Sequence, residues 1–170
     1  EPELLATAVR LVQSLTDVPL CIDSSVIEAL EAGLAAYEGK ALVNSMTGED
    51  ERMDAILPMI KKYDAAILAL PNDETQIPML ASERMVIVDK IVRRVEKEGI
   101  SLENLLIDPL AMPVGADPEA VKNTLETIYQ VREKYGLNMS IGASNKSFGL
   151  PNRHALNAAF LPMAMSMGLT

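Results

Sequence analysis

Residues 20–44 read LCIDSSVIEALEAGLAAYEGKALVN, and this segment is the clearest indication of the fold class. Two short apolar runs, Leu20–Asp23 and Ala41–Asn44, lie on either side of a helix-length segment that ends before Gly39. Short runs that are apolar on both faces are typical of buried parallel strands. The order strand, helix, strand indicates a right-handed βαβ unit, and we expect Ser24 and Ser25 to cap its helix.

The same unit recurs along the rest of the chain. Further apolar runs at residues 65–70, 105–108 and 139–144 alternate with helical patterns at residues 2–15, 49–63, 82–97, 117–136 and 152–167. No linker or low-complexity segment interrupts this alternation, which predicts one α/β domain with a parallel sheet. Two architectures remain, a doubly wound open sheet and a (β/α)₈ TIM barrel.

The strand ends favour the barrel. A doubly wound sheet predicts one dominant phosphate loop, but neither G-x-G-x-x-G nor G-x-x-x-x-G-K-[ST] follows any strand. Nearly every run ends in its own polar residue instead, which is typical of a barrel mouth. A complete barrel has eight strands in about 250 residues, whereas this sequence of 170 residues has five runs and begins at Glu1. We therefore expect residues 1–170 to be one incomplete barrel domain.

Composition excludes several classes of protein. The net charge of −9 and the pI near 4.6 argue against a nucleic-acid surface, which needs a basic footprint. Cys21 is the only cysteine and has no metal-ligand partner at the usual spacing, so we expect neither a disulfide nor a metal site. No apolar run reaches the ~18 residues of a membrane span, and we expect no signal peptide. These features predict a cytoplasmic protein.

Three polar residues stand at strand ends: Asp23, Asn44 and Asp108. Alternation along the strands directs all three into the mouth of a barrel, where a carboxylate needs N–H donors. An aminopyrimidinone ring offers adjacent N–H and NH₂ donors that match a carboxylate, and an amide can both donate and accept. The alternative is an N-cap of the following helix. Ser24 and Ser25 already suit that role after Asp23, and Asp108 lies far upstream of its helix, but for Asn44 both interpretations stand equally.

The densest polar segment follows the fifth run and reads GASNKSFGLPNR over residues 142–153. Its polar members are Ser144, Asn145, Lys146, Ser147, Asn152 and Arg153. An ordinary loop with a cap at Asn152 is the simpler alternative. Lys146 and Arg153 are candidate anion contacts. On the last helix we expect Met163, Met165 and Met167 to pack and His154 to lie at the surface.

Four motifs in order, LCIDS at 20–24, LVNS at 42–45, LIDPL at 106–110 and the 142–153 segment, together resemble one family. It is the pterin-binding family of tetrahydrofolate:corrinoid-protein methyltransferases, with the folate domain of cobalamin-dependent methionine synthase. The resemblance covers the whole chain and implies a homodimeric (β/α)₈ barrel, of which these residues supply strands three to seven. It also implies methyl transfer between N5 of tetrahydrofolate and the cobalt of a corrinoid carried by a partner protein.

The resemblance assigns a folate-binding role to seven positions, which are Asp23, Asn44, Asp108, Gly142, Ser144, Asn145 and Arg153. The first three would hydrogen-bond the pterin, and the others would line the pocket at the fifth strand. Asn145 would reach the N5 and methyl region and is the candidate catalytic residue.

Dihydropteroate synthase is the related alternative, because Ser144-x-Lys146-Ser147 is similar to its Ser-Arg-Lys-Ser motif. Two departures count against it: Asn145 replaces the arginine, and Leu110-Ala-Met-Pro stands where that family has a glycine-rich loop. A non-catalytic barrel that only binds folate or docks a corrinoid protein is the third possibility. We favour the methyltransferase.

Overall fold

The computed structural model describes residues 2–75 and 77–170. The helices are α1 Pro2–Gln13, α2 Ile27–Ala36, α3 Asp50–Tyr63, α4 Ala81–Lys97, α5 Ala120–Tyr135 and α6 Arg153–Ser166. The strands are β1 Cys21–Asp23, β2 Leu42–Thr47, β3 Ala66–Leu70, β4 Leu105–Ile107 and β5 Asn138–Met139. Short 3₁₀ helices lie at Leu102–Asn104 and Ala143–Ser147.

The sheet is parallel, and its strands follow one another in chain order from β1 to β5. A doubly wound sheet reverses its strand order at a switch point, and the five described strands show no reversal. Successive βαβ units therefore wind in one direction, which is the order of strands around a barrel. This confirms the predicted α/β class and favours the barrel over the doubly wound alternative.

The two faces of the sheet differ in burial. Ile22, Val43, Ile67 and Ile107 are at most 2% exposed and pack against the helices, so the main hydrophobic core lies between the sheet and its helical layer. Residues of the opposite face are more accessible; in β1, for example, exposed residues stand on both sides of buried Ile22. Asp23 and Asn44 belong to this opposite face, as the alternation predicts.

The fifth strand is much shorter than the predicted run at 139–144. The Ser140 N–H donates to Ile107 O at 3.2 Å, and the ladder stops there. The hydrogen bonds that follow are local: Ala143 N donates to Ile141 O, and Asn145 N donates to Gly142 O. Among the described residues, β5 pairs only with β4. The backbone N–H and C=O groups beyond Ser140 therefore form local hydrogen bonds in a 3₁₀ helix. The prediction of a strand through Ser144 is wrong.

Helix starts also differ from the predictions. The Ser24 hydroxyl accepts from Val26 N at 3.1 Å, which caps the turn before α2, and Ser25 makes no such bond. The segment predicted to open a helix at Asp117 forms a turn in which the Asp117 carboxylate accepts from Glu119 N, and α5 begins at Ala120.

The last helix packs less than expected. Met163, Met165 and Met167 are 47%, 66% and 39% exposed, so the expectation that they pack in the core is wrong. Phe160 and Ala164 are the buried residues of α6, and His154 lies at the surface as predicted. Within the described ranges, none of the helices has the length and apolar character needed to cross a membrane.

Candidate functional site

Asp23 and Asn44 lie side by side at the carboxyl ends of β1 and β2, where the strand register pairs them directly. Asn44 Nδ2 donates to Asp23 Oδ2 at 3.1 Å, which leaves Asp23 Oδ1 and Asn44 Oδ1 without hydrogen-bond partners among the residues the structure describes. Both line a pocket of about 390 Å³. The buried hydroxyl of Thr47, in the same pocket, also has no partner among the described residues. The site thus offers free acceptors to a ligand that carries N–H donors.

Asp108 follows β4, with β3 between it and Asn44. Two strand spacings separate the two positions by about 10 Å, a span suited to opposite ends of one planar ligand. Asp108 Oδ1 accepts from Leu110 N at 2.8 Å. Burial raises the pKa of Asp108, although the N–H groups of Leu110 and Gly142 and the charge of Arg84 act in the opposite direction. A ligand donor at Asp108 would further stabilise the carboxylate.

Arg84, from α4, lies beneath the Asp108 loop and is 0% exposed. Its Nη1 donates to Pro109 O at 2.9 Å and Leu110 O at 3.0 Å, and its Nε donates to Pro78 O at 3.0 Å. Burial lowers the pKa of Arg84, and the charge of Asp108 opposes this shift. Sequence reasoning missed this residue. The signal was its helical spacing with buried Val88 and Ile91, which places a charged side chain on the apolar face.

The Ala143–Ser147 3₁₀ helix carries Asn145 close to Asp108. A Cβ atom built on Gly142 would lie 2.9 Å from Asn145 Nδ2, so the Asn145 amide is folded over this glycine. Its side chain is exposed and has no hydrogen-bond partner in residues 2–75 and 77–170. The Gly142 N–H lies close enough to Asp108 to lower the pKa of its carboxyl group, so Asn145 and Asp108 both lie near Gly142.

Arg153 fixes this 3₁₀ helix from the start of α6. Its Nη2 donates to Ser144 O at 2.8 Å, and its Nε donates to Ser147 Oγ at 3.2 Å. The guanidinium also lies 5.9 Å from the centre of the Phe148 ring. Arg153 and Ser144 are therefore linked by a hydrogen bond, and a direct contact of either with a ligand stays a prediction.

Lys146 is not available to an anion, contrary to the sequence prediction. It is 2% exposed, and its Nζ donates to Ala120 O and Thr124 Oγ1, each at 2.7 Å. Burial lowers the pKa of Lys146 from 10.5 to about 7, the charge of Arg84 adds to this, and Asp117 opposes it. The side chain joins the 3₁₀ helix to the first turn of α5.

Within the part of the chain that the structure describes, no three His, Cys, Asp or Glu side chains are grouped to hold a metal ion. The pocket groups are hydrogen-bond acceptors and amides at the carboxyl ends of parallel strands. This arrangement suits a flat heterocycle with N–H donors along one edge.

Residues 1–170 match the family model described as pterin binding enzyme. The chain belongs to this family. The resemblance inferred from the four motifs is thereby confirmed at the level of the pterin-binding family.

Curated relatives come from two groups of methyltransferases. The chain is 31% identical over 172 residues to methylcorrinoid:tetrahydrofolate methyltransferase of Eubacterium limosum, covering 99% of this chain and 64% of that protein. It is 28% identical over 180 residues to methionine synthase of Mycobacterium tuberculosis, covering 98% of this chain and 15% of that protein. The chain thus spans less than two thirds of either relative.

Among solved structures, dihydropteroate synthase of Xanthomonas albilineans with 4-aminobenzoic acid superposes with a TM-score of 0.71 at 19% identity, covering 96% of this chain and 64% of that one. A second structure of the same enzyme, in complex with indole-2-carboxylic acid and 6-chloroguanine, gives a TM-score of 0.66 at 18% identity, covering 96% and 62%. At these identities the likeness concerns the fold alone. It confirms that the five-stranded sheet is of the TIM-barrel type.

Proposed function

We propose that this pterin-binding enzyme is a methyltransferase that moves a methyl group between N5 of tetrahydrofolate and the cobalt of a corrinoid on a partner protein. The observation that carries the proposal is the placement of the unpartnered Asn145 amide beside Asp108, at the same edge of the sheet as the Asp23–Asn44 pair. The 31% identity to methylcorrinoid:tetrahydrofolate methyltransferase supports the choice of reaction.

Binding of the pterin follows from the acceptors. Asp23 Oδ1 and Asn44 Oδ1 are free to receive N–H donors, and Asp108 presents its carboxylate two strands away. Each hydrogen bond to a charged carboxylate contributes about 1.5 to 3 kcal/mol. A ring with donors along one edge satisfies carboxylates that would otherwise lose hydration when the pocket fills.

The reaction makes different demands on the chain. The corrinoid cobalt supplies the nucleophile or the methyl group, according to direction. When the methyl–N5 bond breaks, its electron pair stays on N5, which needs a proton or a strong hydrogen bond. Asn145 has a free amide near Gly142 and Asp108, at the carboxyl edge of the sheet. An amide cannot supply the proton, so Asn145 donates a hydrogen bond that strengthens in the transition state, and water delivers the proton.

The experiment that tests this role compares rate with affinity. In Asn145→Ala, single-turnover transfer from methylcobalamin to tetrahydrofolate should fall about 100-fold or more, the effect of losing one preorganised donor. The tetrahydrofolate dissociation constant should change less than about threefold, because the ring is held by Asp23, Asn44 and Asp108. Asn104→Ala is the matched control, since Asn104 lies before β4 at the opposite edge of the sheet. A rate for Asn145→Ala within about twofold of wild type would contradict the assignment.

The alternatives make different predictions. A barrel that only binds folate or docks a corrinoid protein would titrate with tetrahydrofolate but yield no methyltetrahydrofolate from methylcobalamin. A dihydropteroate synthase would condense 4-aminobenzoate with a pterin pyrophosphate. That alternative has less support, because Lys146, which belongs to the shared motif, is bound to Ala120 and Thr124. If Asp23→Asn and Asp108→Asn bound tetrahydrofolate as wild type does, the pterin site itself would be wrong.

The assembly is part of the same proposal. We infer a homodimer and a separate corrinoid protein as partner from the resemblance, and a cytoplasmic location from the composition. Sedimentation of the chain alone, and then with a corrinoid protein, measures both associations.

A further inference from the structure

The pocket that contains Asp23 and Asn44 is also lined by one arginine, which the hydrogen bonds to a pterin ring do not require. Arg52, in the first turn of α3, lines this pocket. Its Nη1 donates to Ser25 O at 3.0 Å. Because Ser25 follows β1 and α3 follows β2, this bond joins two loops at the mouth and holds the guanidinium at the rim.

Arg52 differs from half of the other cations of this acidic chain, which has 24 Asp and Glu against 15 Lys and Arg. Seven other Lys and Arg side chains form ion pairs with carboxylates. Arg52 forms none with any residue in the described ranges, although Glu49 lines the same pocket. Of the five N–H donors of a guanidinium, one is used by Ser25. A positive group with donors to spare therefore stands beside the pterin acceptors.

We propose that Arg52 binds a carboxylate of the glutamate tail of folate, so that the site selects folates over pterins without a tail. The inference rests on the proposed function, because it takes the ring at Asp23 and Asn44 as the start of the ligand. The ring donates hydrogen bonds to acceptors of the protein, whereas the anionic tail binds a cation with N–H donors. The pocket contains groups of both kinds. A guanidinium binds a carboxylate through two parallel N–H bonds, which suits Arg52 better than a lysine.

Glu49 supplies a second test of opposite sign. Its carboxylate lines the same pocket and repels an anionic tail, without neutralising Arg52 through an ion pair. Replacement by glutamine removes this repulsion. Glu49→Gln should therefore bind tetrahydrofolate more tightly by about two- to fivefold, and the difference should shrink as salt screens the charges.

The experiment titrates two ligands that share a ring. Tetrahydrofolate has the benzoylglutamate tail, and 6-methyltetrahydropterin lacks it. In Arg52→Gln the dissociation constant of tetrahydrofolate should rise about 5- to 20-fold, whereas that of 6-methyltetrahydropterin should stay within twofold. Arg93→Gln is the control, because it makes the same change of charge at an exposed position on α4, outside this pocket. Arg52→Lys, which keeps the charge, should fall between wild type and Arg52→Gln.

The outcomes separate the possible roles of Arg52. Equal weakening of both ligands would mean that Arg52 only supports the Ser25 loop, and unchanged affinity for both would mean that the tail lies elsewhere. Either result overturns the inference while leaving the pterin site intact. If neither ligand binds the wild-type chain, the proposed function fails, and the role of Arg52 fails with it.

Discussion

Raising the pH from 6 to 9 should stabilise the wild-type chain relative to Lys146→Met by about 2 to 3 kcal/mol. The reason lies in the burial of Lys146, which is 2% exposed and has its pKa lowered from 10.5 to about 7. Desolvation is the largest cause, the guanidinium of Arg84 adds to it, and Asp117 opposes it. The centre of the Phe160 ring lies 5.3 Å from Lys146 Nζ, so the ring covers another side of this amino group.

The sign follows from proton counts. The unfolded chain keeps the Lys146 proton up to a pH near its ordinary pKa of 10.5, whereas the folded chain releases it near pH 7. Between these values the unfolded state binds more protons, so the free energy of unfolding rises with pH. The slope approaches about 1.36 kcal/mol per pH unit above the folded pKa. Lys146 is half deprotonated at pH 7 in the folded chain. Integrating this slope from pH 6 to 9 gives an increase of about 2.7 kcal/mol in the free energy of unfolding.

Urea unfolding followed by far-UV circular dichroism measures the effect at several pH values. Met keeps an unbranched side chain without a titrating group, and Ala120 O retains the Thr124 hydroxyl as a donor at 2.8 Å. Subtracting the two curves cancels the other titrations. Lys97→Met, at an exposed position of α4, is the control for replacing a lysine by methionine. A wild-type minus Lys146→Met difference that stays flat or falls with pH would refute the reasoning.

Two further predictions concern the pocket. Asp108→Asn should weaken tetrahydrofolate binding by about 10-fold or more at neutral pH. Because burial raises the pKa of Asp108, wild-type affinity should begin to fall on acidification at a higher pH than an ordinary aspartate would give, and Asp108→Asn should lack this dependence in calorimetric titrations. Gly142→Ala should slow methyl transfer about 10-fold or more, because its Cβ would lie 2.9 Å from Asn145 Nδ2 and displace the amide. Its free energy of unfolding should change little, since a flexible side chain can move; an unchanged transfer rate would count against Asn145.

Much of the fold was predictable because its causes are local. Short apolar runs between amphipathic helices require buried parallel strands, and the described strands occur where those runs are. Strand ends and side-chain alternation place Asp23 and Asn44 on the same face of the sheet, and the structure adds the direct pairing between them. The length of β5 was not predictable in the same way. An apolar run does not say how many neighbouring strands it will find, and the backbone beyond Ser140 turns to local bonds.

The burial of two cations, Lys146 and Arg84, was not predicted from the sequence. Lys146 stands in a polar loop and looks exposed in the sequence, while Arg84 stands in an ordinary amphipathic helix. Their burial depends on partners 22 to 40 residues away, such as the Thr124 hydroxyl, which accepts from both. Sequence spacing contains no direct information on such contacts.

This buried cluster connects the two parts of the proposed mechanism. Arg84 donates hydrogen bonds to the carbonyls of Pro109 and Leu110, next to Asp108. Lys146, the residue after Asn145, donates a hydrogen bond to Ala120 O at the start of α5. Thr124 Oγ1 accepts hydrogen bonds from Lys146 Nζ at 2.7 Å and from Arg84 Nη1 at 3.5 Å. It also lies 3.0 Å from Leu110 O. Asp108, which we propose binds the pterin, and Asn145, which we propose contacts N5, therefore share one support. Among the described residues, no hydrogen bond joins Asp23 or Asn44 to this cluster, and the two are paired with each other in the register of β1 and β2. Damage to the cluster should thus shift Asn145 and Asp108 together and leave the Asp23–Asn44 pair in place.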